Sequence, residues 1–269
     1  MAAHISVGIG SWTDKEYKGI LYPKGLPDNQ RLATYATHFG HVELNMSYHR
    51  IPPVAMVEGW VKQTPPGFLF DYKLPRDVAA NPERAAQGKV LDQVLRSARP
   101  LIDAGKLGAF FLVLPPTFSP DKHRIEELDG LAEKFRPLLL AIELRHNGWV
   151  TGDQRAKTLD YFRAKHLVWI AVDMPQVPGS TLMSAVDEVT NPKLAYLRLH
   201  GRRKDWEDLK TAEEKHGYQY SEAELKEIAA RVQQLAKKAE AVHVVCNTHA
   251  QDFAPRAALA LGRVLEISR

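Results

Sequence analysis

The segment AIELRHNGW (141–149) follows the apolar residues Leu138, Leu139 and Leu140, and then places Glu143 and Arg145 two residues apart. Alternate residues of a strand share a face, so two opposite charges end this strand side by side. Burying ions is costly unless they are paired or used. The pattern recurs. Glu43 and Asn45 share a face in HVELNMSY, Asp71 and Lys73 in FLFDYKLP, and Tyr196, Arg198 and His200 in LAYLRLHG. His243, Asn247 and His249 line up in AVHVVCNTH, and Asp173 ends LVWIAVDMP. In ISVGIGSW, Gly8 and Gly10 share the face of Trp12 and leave room beside it. The opposite parity is apolar: Val42 and Leu44, Ile142 and Leu144, Ile170 and Val172, Leu197 and Leu199, Val244 and Cys246. One run is silent, ending in Val113 and Leu114 before Pro115-Pro116.

Lys73, Arg145 and Arg198, with Arg202 just beyond, give this set an excess of fixed cations. The planar guanidinium fork suits carboxylate or phosphate, so an anionic ligand is expected. Glu43, Glu143 and Asp173 can neutralise those cations or act as bases, and His200 titrates near neutrality. Lys73 admits a Schiff base if desolvated, although an ion pair or anion contact is preferred. The carboxylates and histidines are also ligand types for Zn, Mn or Mg. No close-spaced motif such as His-Glu-x-x-His occurs, so a divalent metal is not favoured, and no other cofactor is assigned. GIGSW lacks the third glycine of a dinucleotide fingerprint, and neither a Walker loop nor a Gly-x-Ser-x-Gly elbow is present. His243, early in its strand, reads as a satisfied core histidine, and Cys246 as an inert small hydrophobe.

Eight short apolar runs must position these residues: 5–12, 41–48, 68–75, 107–116, 138–145, 167–175, 194–201 and 241–249. Most intervals hold a helix-like stretch. Asn81-Pro82 and Ser119-Pro120 mark two starts, and Ser221 stands three residues before Glu224 as in a capping box. The interval after the sixth run is weakest, with only STLMSAVDEV available. Strands alternating with helices predict an α/β fold with a parallel sheet, and eight units predict a closed (β/α)₈ TIM-type barrel over residues 1–269, with an open doubly wound sheet as the alternative. Polar groups of one parity at the strand ends then meet at its C-terminal mouth. Two long segments, 13–27 and 201–220, follow strands and fall at that rim, the second as a solvated loop or a lid.

The totals agree. A chain of 269 residues, 45% apolar and 25% charged, has the size and composition of one barrel with a substantial core. A net charge of +4 and a pI near 9.0 permit an anionic partner without a polyelectrolyte-binding tail. The lone Cys246 suits a reducing compartment. The start MAAHISVGIGSW has no cationic leader, and no apolar run reaches the roughly 18–20 residues of a membrane span. A cytoplasmic protein with no membrane partner is expected.

Several blocks together resemble the YecE-like family, a domain of unknown function: GSWTDKEYKGILYPKGLP, FGHVELNMSYHRIP, TPPGFLFDYKLPR, VLPPTF, AIELRHNGW, YLRLHGR and CNTHAQDFAPRAA. The match runs from about residue 5 to residue 265. The resemblance implies a TIM-type barrel of no established activity, likened to the metal-dependent nuclease endonuclease IV. Its pattern falls on Trp12, Glu43, Asn45, Lys73, Glu143, Arg145, Trp149, Asp173, Arg198, His200, Gly201 and Asn247. The chain departs from that pattern at Tyr48-His49, at Val113 where a glutamine is usual, and in lacking a Thr-His after KLPR.

The expectation is therefore an enzyme, such as a hydrolase of phosphate esters, acting on a phosphate- or carboxylate-bearing substrate. His200 and Glu143 would exchange protons. Trp12, Glu43, Asn45, Lys73, Arg145, Asp173, Arg198 and Asn247 would bind the substrate. The alternatives are a non-catalytic nucleic-acid binder stacking bases on Trp12 and Tyr48, or a metal-dependent nuclease. Alanine at Arg198 or His200 is expected to remove binding while changing stability by less than about 2 kcal/mol.

Overall fold

The computed structural model describes residues 3–267 apart from 207 and 249. Each apolar run yields a strand: β1 (His4–Ile9), β2 (His41–Leu44), β3 (Leu69–Lys73), β4 (Leu107–Val113), β5 (Leu140–Glu143), β6 (Val168–Asp173), β7 (Ala195–Leu199) and β8 (Ala241–Cys246). All pairings are parallel, in the order β1-β8-β7-β6-β5-β4-β3-β2. The helices are α1 (Arg31–Tyr35), α2 (Val54–Gln63), α3 (Arg76–Ala80), α4 (Pro82–Gln87), α5 (Val90–Asp103), α6 (Asp129–Phe135), α7 (Gln154–Ala164), α8 (Ala212–Lys215), α9 (Glu222–Ala236) and α10 (Phe253–Val264). Among the described residues no helix is long and apolar enough to cross a membrane.

The cylinder closes between β1 and β2 through side chains. The Tyr35 hydroxyl accepts from the Ile9 amide at 3.0 Å and donates to the His41 carbonyl at 2.9 Å. Asn45 Nδ2 donates to the Gly10 carbonyl at 2.8 Å, and Ser6 Oγ lies 2.9 Å from His41 Nδ1. Gly8 permits this approach, because a Cβ there would lie 2.4 Å from the His41 carbonyl oxygen.

Local signals mostly hold. Ser221 and Glu224 form the reciprocal capping box of α9, and the Asn81 side chain caps α4 with Pro82 at its first turn. That helix stops at Gly88, and α5 begins separately. Ser119-Pro120 starts no helix; α6 begins at Asp129 after a single 3-10 turn. STLMSAVDEV is not helical either. Its Met183 and Val186 are buried against the barrel, and the Val186 carbonyl accepts from Trp169 Nε1 at 2.9 Å.

The inner layer contains Phe111, Ala141, Val168, Ile170, Tyr196 and Val245. This reverses the expected phase of β6. Val172 pairs with Arg198 and Asp173 with Leu199, so Ile170 and Val172 face the lumen and Asp173 the helices. VWIAVD is apolar on both faces, and its neighbour β7, not its own alternation, sets its orientation. At the base of β4 the register with β3 slips between Phe70 and Tyr72. Gly108 sits in that irregularity, where a Cβ would meet Asp71 Oδ1 at 2.4 Å.

Candidate anion site at the barrel mouth

Arg198, 1% exposed, is the hub below the mouth. Its Nε and Nη2 grip Glu43 in a fork at 2.7 and 2.8 Å, and Nη1 reaches Glu143 Oε2 at 2.6 Å. Burial would lower the guanidinium pKa, but Glu43 and Glu143 more than reverse that. Burial likewise favours the neutral Glu143 carboxyl, yet Arg198 foremost, with His200 and Arg145, holds it well below the usual carboxylate range. Arg145 Nε completes the arrangement at 2.7 Å from Glu143 Oε1.

The same hub fixes a histidine tautomer. Asn247 Oδ1 accepts from Arg198 Nη2 at 3.2 Å, which turns the Asn247 amide nitrogen toward His200 Nδ1 at 3.1 Å. An NH₂ group can only donate, so Nδ1 must accept, and the proton lies on Nε2, 3.2 Å from Glu143 Oε2. Doubly protonated imidazole would set donor against donor. Burial pushes the His200 pKa down to about 4, with Glu143 opposing and Arg198 and Arg145 adding to the fall. His200 is neutral at pH 7.

Above this floor opens a cavity of about 490 Å³ lined by Tyr48, Lys73, Arg76, Val113, Pro115 and Arg145 among others. Among the described lining residues three are cationic and none is acidic. Lys73 Nζ donates to Asn45 Oδ1 at 3.1 Å and lies 4.6 Å from the centre of the Tyr48 ring. Burial, and then Arg198 and Arg145, bring its pKa down to about 8 despite Glu43 and Glu143. The absence of a polar group on Val113 leaves this wall of the cavity apolar.

The structure thus brings together Glu43, Asn45, Lys73, Glu143, Arg145, Arg198, His200 and Asn247. Glu143 and His200 have no exposed surface and do not line the cavity, and Arg198 is engaged by carboxylates instead of facing it. Two expected residues lie elsewhere. Trp12 packs edge-on against Trp60 and Phe70, at 5.4 and 6.4 Å between ring centres, in the helix-side core. Asp173 pairs with Arg202 at 2.8 Å and Arg231 at 2.6 Å and accepts from the Tyr220 hydroxyl at 3.0 Å. It anchors the segment after β7. That segment is packed: Trp206 is buried, and His216 Nδ1 lies 3.3 Å from the His200 carbonyl oxygen, above the floor. Gly201 takes φ +94°, with Tyr218 Cβ 2.5 Å from where a Cβ would stand, so the chain enters the segment through a turn reserved for glycine. His249 lies outside the described residues. Arg76, missed at the sequence level, belongs to α3 and carries no strand parity to betray it; its signal was only its place three residues after Lys73.

A lower cluster underlies the floor. The Tyr196 hydroxyl is 3.0 Å from both Glu43 Oε1 and Asp71 Oδ2, and its single proton serves one at a time. Asp71 lies 2.9 Å from His243 Nδ1. Burial alone would raise its carboxyl, but His243 and His41 lower it further. His41, Asp71 and His243 are metal-ligand types within 4.8 Å of one another. Yet the two rings stack 4.6 Å apart at 22°, and near-parallel imidazoles do not aim both nitrogens in-plane at one ion. At the mouth, Glu43 and Glu143 both bind Arg198, so a divalent ion there would face a guanidinium. Neither donor set fits a metal well.

Comparison with known proteins gives a consistent result. Residues 6–269 match the model of the family described as "Protein of unknown function DUF72". The UPF0759 protein YunF of Bacillus subtilis (strain 168) is 25% identical over 91% of this chain and 89% of its own length. The UPF0759 protein YecE of Escherichia coli (strain K12) is 28% identical, over 48% of this chain and 46% of its own. A crystal structure of a DUF72 family protein from Enterococcus faecalis V583 superposes with a TM-score of 0.87 at 27% identity, covering 98% of this chain and 96% of that one. Another, from Thermotoga maritima MSB8, gives 0.85 at 28% identity, covering 98% and 99%.

Proposed function

The chain belongs to the DUF72 family, and from the geometry of its mouth we propose that it is an enzyme binding a phosphate- or carboxylate-bearing substrate there. One observation carries this: Lys73, Arg76 and Arg145 line one cavity that has no acidic side chain among the described residues of its wall. Arg145 and the exposed Arg76 hold the anion. Arg198 positions Glu43 and Glu143, and Glu143 in turn orients Arg145. His200 and Asn247 act from below, as positioning groups. The single buried Cys246 fits a reducing cytoplasm.

A nucleic-acid partner has less support, because Trp12 is in the core and only Tyr48 of the two stacking surfaces lines the cavity. Titration calorimetry with inorganic phosphate and with acetate tests the proposal. Arg145→Gln combined with Arg76→Gln should weaken phosphate binding at least about tenfold, the loss of charge-assisted hydrogen bonds of about 1.5–3 kcal/mol. Unchanged affinity in that double variant, or no binding by the native protein, defeats it.

A further inference from the structure

Lys73 combines features that an anion contact alone does not require. It stands at the C-terminal end of β3, half-buried, and lines the cavity. Its hydrogen-bond acceptor is a neutral amide oxygen, Asn45 Oδ1, which aims the amine without stabilising its charge as a carboxylate would. The carboxylates that act on it electrostatically, Glu43 and Glu143, are both bound by Arg198. Lys106 shows the contrast: its ammonium donates to the carbonyls of Val61 and Thr64 and to the Thr64 hydroxyl at 2.6–2.9 Å. Three acceptors use all three hydrogens and make Lys106 a structural anchor. Lys73 keeps hydrogens and space.

We propose that Lys73 forms a Schiff base with the carbonyl carbon of a substrate whose anionic group rests on Arg76 and Arg145, which makes the substrate an oxo acid or a phosphorylated aldehyde or ketone; this rests on the anion-binding function proposed above. The free amine attacks the carbonyl carbon, a C–N bond forms, and the carbonyl π pair moves to oxygen. That oxygen takes up protons and departs as water. The net change is R₂C=O + Lys–NH₃⁺ → R₂C=NH⁺–Lys + H₂O, with no oxidant or reductant. Desolvation and the neighbouring Arg198 and Arg145 favour the reactive neutral amine, as they do in nucleophilic lysines generally. With a pKa of about 8, roughly a tenth of the amine is neutral at pH 7. The apolar wall of Val113, Leu114, Pro115 and Pro116 suits the carbon skeleton between carbonyl and anion.

Borohydride trapping with intact mass and peptide mapping tests this on the full chain. Pyruvate, dihydroxyacetone phosphate and neutral acetone are the probes, with phosphate binding measured in parallel. The expected result is a reduced adduct on Lys73 from at least one anionic carbonyl, at concentrations where acetone gives none. Inorganic phosphate should suppress it, and its rate should rise with a midpoint near pH 8. Labelling by pyruvate or by the phosphorylated ketone tells oxo acid from sugar phosphate. Lys73→Arg should abolish the adduct, and mapping on the native protein keeps the result readable if that variant folds poorly. Phosphate binding with Lys73 unlabelled, or label spread over surface lysines, overturns the Schiff base and leaves anion binding standing. Equal labelling by acetone and pyruvate with no phosphate binding overturns the substrate class and the anion site together.

Discussion

Arg198 carries the consequences of burying charge. With 1% exposure and two fully buried carboxylates on its fork, it cannot be removed as a surface contact can. Truncation leaves Glu43 and Glu143 uncompensated, so Arg198→Met should destabilise by about 3–5 kcal/mol. The sequence alone predicts a small effect of alanine at this position, and the two buried carboxylates on the guanidinium raise it. Urea unfolding measures it. Adding Glu43→Gln and Glu143→Gln to Arg198→Met should recover part of the loss, and no recovery would mean that the cost is packing alone. His200 has a separate signature. Its folded pKa of about 4 lies below the ordinary 6.5, so only the unfolded chain takes up that proton between those values. Stability from this group is fully present above about pH 6.5, falls as pH drops toward 4, and is then constant, a change of roughly 3 kcal/mol. Glu143, whose folded carboxyl is also depressed, loses its contribution lower, as pH falls from about 4.3 through its folded value. His200→Gln should therefore flatten the stability profile between pH 6.5 and 4 and leave the acid limb. An unchanged slope in the upper window would show that the imidazole is already charged in the fold.

Among elements, the β1–β2 junction is the place where the cylinder depends on individual side chains. Tyr35 supplies one donor and one acceptor there, fully buried. Tyr35→Phe should cost about 1–3 kcal/mol, the desolvation penalty of buried backbone groups that lose their partner. Hydrogen exchange at the Ile9 amide should accelerate ahead of the β6–β7 ladder, and uniform acceleration would mean that the seam is not a local weak point. Strands and most rim positions were legible because alternation is strong in LAYLRLH, AIELR and HVELN. It failed for Asp173, where apolar residues fill both faces of β6 and one terminal acid could equally end either face. At Trp12 the two preceding glycines imply space beside the indole, but the chain has already left the strand at Gly10 and turned the indole toward Trp60. The absence of a helix in STLMSAVDEV after β6 matches the weakest interval, whose Met183 and Val186 supply burial without periodicity.

At the scale of the molecule, charge separates a small guest from a polymer. The chain is only mildly basic, at +4, and much of its cationic surface is internally neutralised: Arg202 on Asp173 and Glu227, Arg231 on Asp173 and Asp187, Arg163 on Asp160 and Glu188. The cations of the mouth, of which Arg145 is itself paired with Glu143 at 2.7 Å, are confined to one cavity of about 490 Å³. A guest held by Lys73, Arg76 and Arg145 displaces few counterions, so log affinity should fall with log salt with a slope of magnitude about 1–3. A nucleic acid neutralised along a basic rim would contact six or more phosphates and give a slope of about −5 or steeper for duplex DNA. Measuring phosphate and a duplex oligonucleotide across the same salt series decides between them. Phosphate is expected to bind with the shallow slope and the duplex weakly or not at all. Tight, steeply salt-dependent duplex binding that survives Arg145→Gln would relocate the functional surface from the cavity to the rim.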